Sequence, residues 1–173
     1  MAILHRKFVP VFIALSVVAC AGPQATLPDP GIENLDLAIR LAAVPDGLVV
    51  TENQGTSLQL RPADENVGGV LWIAVGPEQV GVNLVEEVKA HQERIEGLPE
   101  GDYQGAQELQ GPLGTAFYSR GRFVEGGALV EETVVLTLHP AGDRLLTISY
   151  RYPAGDDSAR RVEQLIDVLS YVE

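Results

Sequence analysis

Between Thr115 and Tyr152 the chain carries three long strand patterns, roughly Thr115 to Val124, Leu129 to His139 and Arg144 to Tyr152, broken only by short turns. Runs of this kind bounded by turn residues read as strands. Gly126-Gly127 suits a two-residue primed turn, which needs positive φ at both positions. Pro140-Ala141-Gly142 suits a three-residue loop with Gly in the left-handed position. Turns this short force an antiparallel meander and fix its register. Arg122 then faces Glu131, and Glu131 faces Arg151.

This register predicts a core face of Phe117, Phe123, Val130, Val134, Leu136, Leu146, Ile148 and Tyr152. The opposite face stacks Arg122-Glu131-Arg151, then Arg120-Thr133-Ser149, then Tyr118-Val135-Thr147. Opposite charges paired across a ladder contribute about 0.2–1 kcal/mol each. Glu132 offends the pattern, because it falls on the apolar face, opposite Gly121 and beside Tyr150. A desolvated carboxylate there would have a raised pKa and count as a site candidate. The simpler expectation is a wet, uncovered sheet end.

Upstream, Pro45-Asp46-Gly47 marks a turn, and Leu48 to Glu52 with Ser57 to Arg61 reads as a hairpin. Val70 to Val75 is apolar throughout, as a strand covered on both faces would be, with Trp72 as a core aromatic. A helix begins at Asn83, which with Glu86 resembles a capping box, and ends at Gly97 before Pro99. Leu84, Val88, His91 and Ile95 form its buried stripe, with His91 as a half-buried packing residue. A last helix is expected from about Ala159 to Tyr171, capped by Asp157 or Ser158, with Val162, Leu165, Ile166, Leu169 and Val172 inward. Strand runs interrupted by helices, joined by hairpins, indicate an α+β domain on an antiparallel sheet, here over residues 35–173.

Charge and composition remove several function classes. A net charge of -12 is unfavourable for gripping phosphate backbones, so nucleic acid is not an expected partner. One cysteine forbids an internal disulfide framework, and three histidines leave little for a metal centre, so neither metal nor cofactor is expected. No nucleophile elbow, phosphate loop, dinucleotide fingerprint or zinc-protease motif occurs, and no catalytic residue is assigned. Ser57, Ser119, Ser149, Ser158 and Ser170 have no basic partner nearby in sequence. From residue 120 onward every cation is an arginine, which points to Arg120, Arg122 and Arg151 as a candidate interaction surface.

The first residues, MAILHRKFVPVFIALSVVAC, read as a basic start, a twelve-residue apolar run from Phe8 to Ala19, and small residues. That is the order of an export signal, and about 18 Å of helix is too short to span a bilayer. Val17-Val18-Ala19-Cys20 resembles the lipobox of bacterial lipoproteins. The resemblance implies a signal peptide over residues 1–19 and acyl chains on Cys20; signal-peptidase cleavage after Ala21 is the competing reading. Ala21 after the lipidated cysteine resembles an outer-membrane sorting signal where a second membrane exists. Residues 20–34 form a proline- and glycine-rich linker.

The element order, the meander ending in LLTISYRYP and the closing RRVEQLIDVLSYV resemble the PsbP-like α/β/α sandwich. That fold is shared by an extrinsic photosystem II subunit, a Ran-binding nuclear import factor and several bacterial lipoproteins. The resemblance implies a non-catalytic binding or assembly module, tethered by lipid at the cell envelope with an envelope protein as partner. A carrier of a small apolar ligand, held between sheet and helix near Phe117, Trp72 and Tyr152, is the alternative. A hydrolase would require Glu132 or a histidine in a cleft beside a nucleophile.

Overall fold

The computed structural model describes residues 31–155 and 159–172. The leader, Cys20, most of the linker and the caps Asp157 and Ser158 lie outside the described residues. The chain runs β1 (Ile32–Asn34), β2 (Ile39–Leu41), β3 (Leu48–Gln54), β4 (Ser57–Pro62), β5 (Val70–Val75) and α1 (Leu84–Glu96). It continues through β6 (Asp102–Gly111), β7 (Gly114–Glu125), β8 (Ala128–Leu138), β9 (Leu145–Pro153), α2 (Ala159–Val168) and β10 (Leu169–Tyr171).

Seven strands form one antiparallel sheet in the order β3-β4-β5-β9-β8-β7-β6, and β1-β2-β10 make a separate three-stranded sheet. The α+β class stands. Helix α2 and the small sheet cover one face of the large sheet. Leu37, Ile39, Leu41, Val162, Leu165 and Leu169 meet Leu58, Leu60, Leu71, Ile73, Val135, Leu146, Ile148 and Tyr150 there. Helix α1 lies on the opposite face, packed chiefly against β6, β7 and β8.

The first hairpin register holds: Arg122 faces Glu131 and Val134 faces Ser119. Gly126 and Gly127 sit at φ +60° and +85°, as a primed turn requires. The second register is off by one. Residues Pro140–Asp143, not three residues, connect the paired His139 and Arg144, so Asp143 is an extra loop residue. Each β9 side chain therefore changes face relative to β8, because side chains alternate along a strand. Thr133, Val135 and Thr137 pair with Tyr150, Ile148 and Leu146 on the α2 face. Phe117, Phe123, Val130, Val134 and Leu136 belong to the α1 face instead.

Four further expectations change. Strand β6 is an additional ten-residue edge strand, making the meander four-stranded. Strand β1 occupies residues 32–34, within the segment read as linker. Val70 to Val75 is the interior strand expected but has one sealed face, with Leu71, Ile73 and Val75 buried and Trp72 50% exposed. The last helix stops at Val168, and Leu169–Tyr171 pairs with β2 as a strand. The α1 boundaries agree: the Asn83 side chain accepts from the Val85 N–H at 3.1 Å, and Gly97 caps the end.

Candidate functional site

Because α1 spans only half of its face, the sheet beside it is left open. The result is a groove of about 930 Å³, floored by β4, β5, β9 and β8 and walled by α1. Apolar residues Val70, Val134, Leu136 and Leu145 lie along it, and half-exposed Trp72 stands at its far side, donating its indole N–H to Ser57 Oγ at 3.0 Å.

Glu132 lies at one end, 4% exposed, so the expectation of a wet sheet end is wrong. Arg94 Nη2 on α1 donates to Oε1 at 2.7 Å, and Arg151 Nε on β9 donates to Oε2 at 3.2 Å. Ser149 Oγ adds a longer contact to Oε1 at 3.4 Å. A carboxylate removed from water needs such partners, since its desolvation costs several kcal/mol. The one-residue register shift creates this arrangement by putting Arg151, not Tyr150, opposite Glu132. Arg151 also reaches Glu125 at 3.5 Å and lies over the Phe123 ring, 5.6 Å from its centroid.

His91, one helical turn before Arg94, is 7% exposed. Its Nδ1 lies 2.8 Å from Ser119 Oγ, which is also 3.1 Å from the Tyr103 hydroxyl. Burial pushes the His91 pKa down to about 4; Glu132 opposes that shift and Arg94 adds to it. Its Nε2 is buried with no partner. Ser119 is fully buried and does not line the groove, whereas His91 does.

The helix sits close to the sheet because residue 121 is glycine. A β-carbon there would lie 2.7 Å from Cγ2 of Ile95, inside van der Waals contact.

The three arginines of the expected interaction surface do not form one patch. Arg120 and Arg122 point to the α2 side, pairing with Glu131 at 3.7 Å and Asp102 at 2.8 Å, whereas Arg151 belongs to the groove. Of the residues expected around an apolar cavity, Trp72 and Tyr152 line the groove and Phe117 does not. The sequence does not single out Arg94, and it places Ser149 on the opposite face, in the ladder with Arg120 and Thr133. The signal for both as partners is Glu132 itself, a charge on an apolar face.

No protein-family model matches this sequence, and no curated protein matches it. Solved structures are similar in fold. LpqN, involved in cell envelope biogenesis of Mycobacterium tuberculosis, aligns with a TM-score of 0.56 at 16% identity, covering 84% of this chain and 87% of that one. The Ran-binding protein Mog1p of Saccharomyces cerevisiae gives 0.53 at 17%, over 79% and 91%. A Bacteroides thetaiotaomicron structure gives 0.55 at 16%, over 78% of this chain and 45% of that one. The fold is Mog1/PsbP-like. The sandwich expected from element order stands, with a small second sheet added by β1, β2 and β10.

Proposed function

We propose that this chain is a lipid-anchored protein of the bacterial cell envelope whose domain is a non-catalytic binding or assembly module. The observation that carries the binding role is the groove beside α1. A half-exposed tryptophan and an apolar floor lie next to a buried carboxylate held by arginines from two separate elements. Such convergence of apolar surface with a few fixed polar groups is what binding sites share. The apolar leader ending at Cys20 supports the anchor. The fold likeness to LpqN, which acts in cell envelope biogenesis, supports the envelope setting. Where the cell has two membranes, Ala21 after the lipidated cysteine favours the outer one.

Intact-mass measurement of the mature chain tests the anchor. It should begin at Cys20 and carry acyl groups; a chain beginning at Gly22 without lipid overturns that part. For the binding role, a photo-crosslinking amino acid at Thr147 in the groove should give a discrete adduct in cells. The same group at Leu35, exposed at the β1–β2 turn, should not. Equal outcomes at both positions would reject the groove as the contact site.

The groove volume favours a second reading, a carrier of a small ligand, since about 300–1,000 Å³ is the usual range for such sites.

A further inference from the structure

From the Glu132–Arg151 pair toward Leu145 the groove is graded, and the grading specifies a chemistry. Along β9 the residues on its floor run Arg151, Ser149, Thr147, Leu145; along β8 they run Glu132, Val134, Leu136. From the Glu132–Arg151 pair onward both strands pass from charge to hydrocarbon in the same direction, while Val130 and Pro153 lie beyond the pair on its other side. From Arg151 to Leu145 the distance is about 20 Å at roughly 3.3 Å per residue. Arg61 on β4 lines the groove and makes no ion pair among the described residues; its Nε goes to Gln59 at 3.3 Å.

Each guanidinium has five N–H donors in a fixed fork. Glu132 engages one nitrogen of Arg94 and one of Arg151, and Glu125 a second of Arg151. The remaining donors are within reach of solvent, with the two side chains 39% and 46% exposed. Glu87, also in the lining, stands on α1 about 10 Å from Arg94, seven residues at roughly 1.5 Å each. Its charge disfavours an anion toward the α1 N-terminus, whereas at the arginine end three cations face two acids, Glu125 and Glu132, and Arg61 is the cation without an ion pair among the described residues.

We infer that the groove takes a single-chain amphiphile with an anionic head. The head meets Arg61, Arg94 and Arg151, and the chain lies past Trp72 over Val134, Leu136 and Leu145. This deepens the small-ligand reading and rests on the groove being the binding site. Charge-assisted hydrogen bonds hold the head, and burial of the chain against the floor supplies the rest.

Trp72 is the only tryptophan in the sequence, so its fluorescence reports the groove directly. The probes are dodecanoate, dodecyl phosphate, uncharged dodecyl maltoside and cationic dodecyltrimethylammonium, each below its micelle-forming concentration. Both anions should give a saturable blue shift, and comparison of the two separates a carboxylate head from a phosphate. The uncharged and cationic probes should bind about tenfold more weakly or worse, the loss expected of a charge-assisted contact. Arg61→Gln should weaken the anions alone, while Thr147→Phe, which fills the groove without adding an indole, should abolish all binding by calorimetry. Both variants should keep the parent melting temperature.

No saturable shift with either anion overturns the inference, as does equal binding of the uncharged probe with no effect of Arg61→Gln. If the probes fail while the Thr147 adduct persists in cells, the amphiphile is rejected and the binding role stands. Loss of both rejects the groove itself.

Discussion

The two faces of the seven-stranded sheet are built to opposite rules. On the α2 side, helix and small sheet cover the strands, and Leu71, Ile73, Ile148 and Tyr150 are fully buried. On the α1 side the helix packs chiefly on β6 to β8, and the open part of the face carries Trp72, Arg61 and Arg151, with the buried Glu132 and the helix's own Arg94 at its border. Adjacent residues of one strand show the contrast: Leu71 is sealed and Trp72 half exposed. One face stabilises the domain, and the other presents chemistry at some cost to burial.

The sharpest way to break the second face is to strand its acid. Replacing Arg94 and Arg151 together by alanine leaves the Glu132 carboxylate buried without a cation, and should cost about 3–5 kcal/mol of unfolding free energy in urea. A loss below about 1 kcal/mol would mean that Glu132 reaches water and the cluster is not a desolvated one.

Leu71 and Trp72 provide the direct comparison of faces. Leu71→Ala should cost about 2–5 kcal/mol, because it empties a sealed site. Trp72→Ala should cost about 1 kcal/mol or less, as it removes one hydrogen bond and a partly exposed ring. Equal losses would erase the distinction between a structural face and a presenting one.

His91 adds a pH test. Its folded pKa of about 4 lies below the ordinary value of 6.5. Above pH 6.5 it is neutral in both states. As pH falls from 6.5 to 4, the unfolded chain takes a proton that the folded one resists, so stability declines through that window and levels off below it. The loss should reach at most about 3 kcal/mol, and His91→Gln should remove that part of the decline in melts across pH 7 to 4. An unchanged profile in the variant would assign the acid sensitivity to other groups.

The smallest effect belongs to the α2 side. Arg122 and Asp102 are both about half exposed, so Arg122→Ala should change unfolding free energy by about 0–1 kcal/mol, less still in high salt.

Much of the architecture is legible in sequence because local rules agree. Gly126-Gly127 can close a two-residue turn in one way, and the β7–β8 register follows from it. The Pro140–Asp143 segment could close with three residues or four, and the difference of one residue turned β9 over. That single ambiguity concealed the site, since it separated Arg151 from Glu132. Strand β6 is faint in sequence for another reason: DYQGAQELQG lies at a sheet edge, where only Tyr103, Gly105 and Leu109 are partly buried and the rest is exposed. Arg94 could not be recognised either, because only the tertiary path of α1 carries it over β8. Glu132, by contrast, is conspicuous in the sequence, a charge on a face that is otherwise hydrocarbon.

The bare hydrogen at Gly121 has a reach beyond its own contact. It lets Ile95 settle onto the strand, and the seating of Ile95 fixes the altitude of the whole helix. The wall of the cleft is therefore set from underneath, at a position no visiting molecule touches. One methyl group inserted at that seam would act as a shim, lifting Arg94 away from its acid and making the cleft shallower or deeper without altering any residue on its surface.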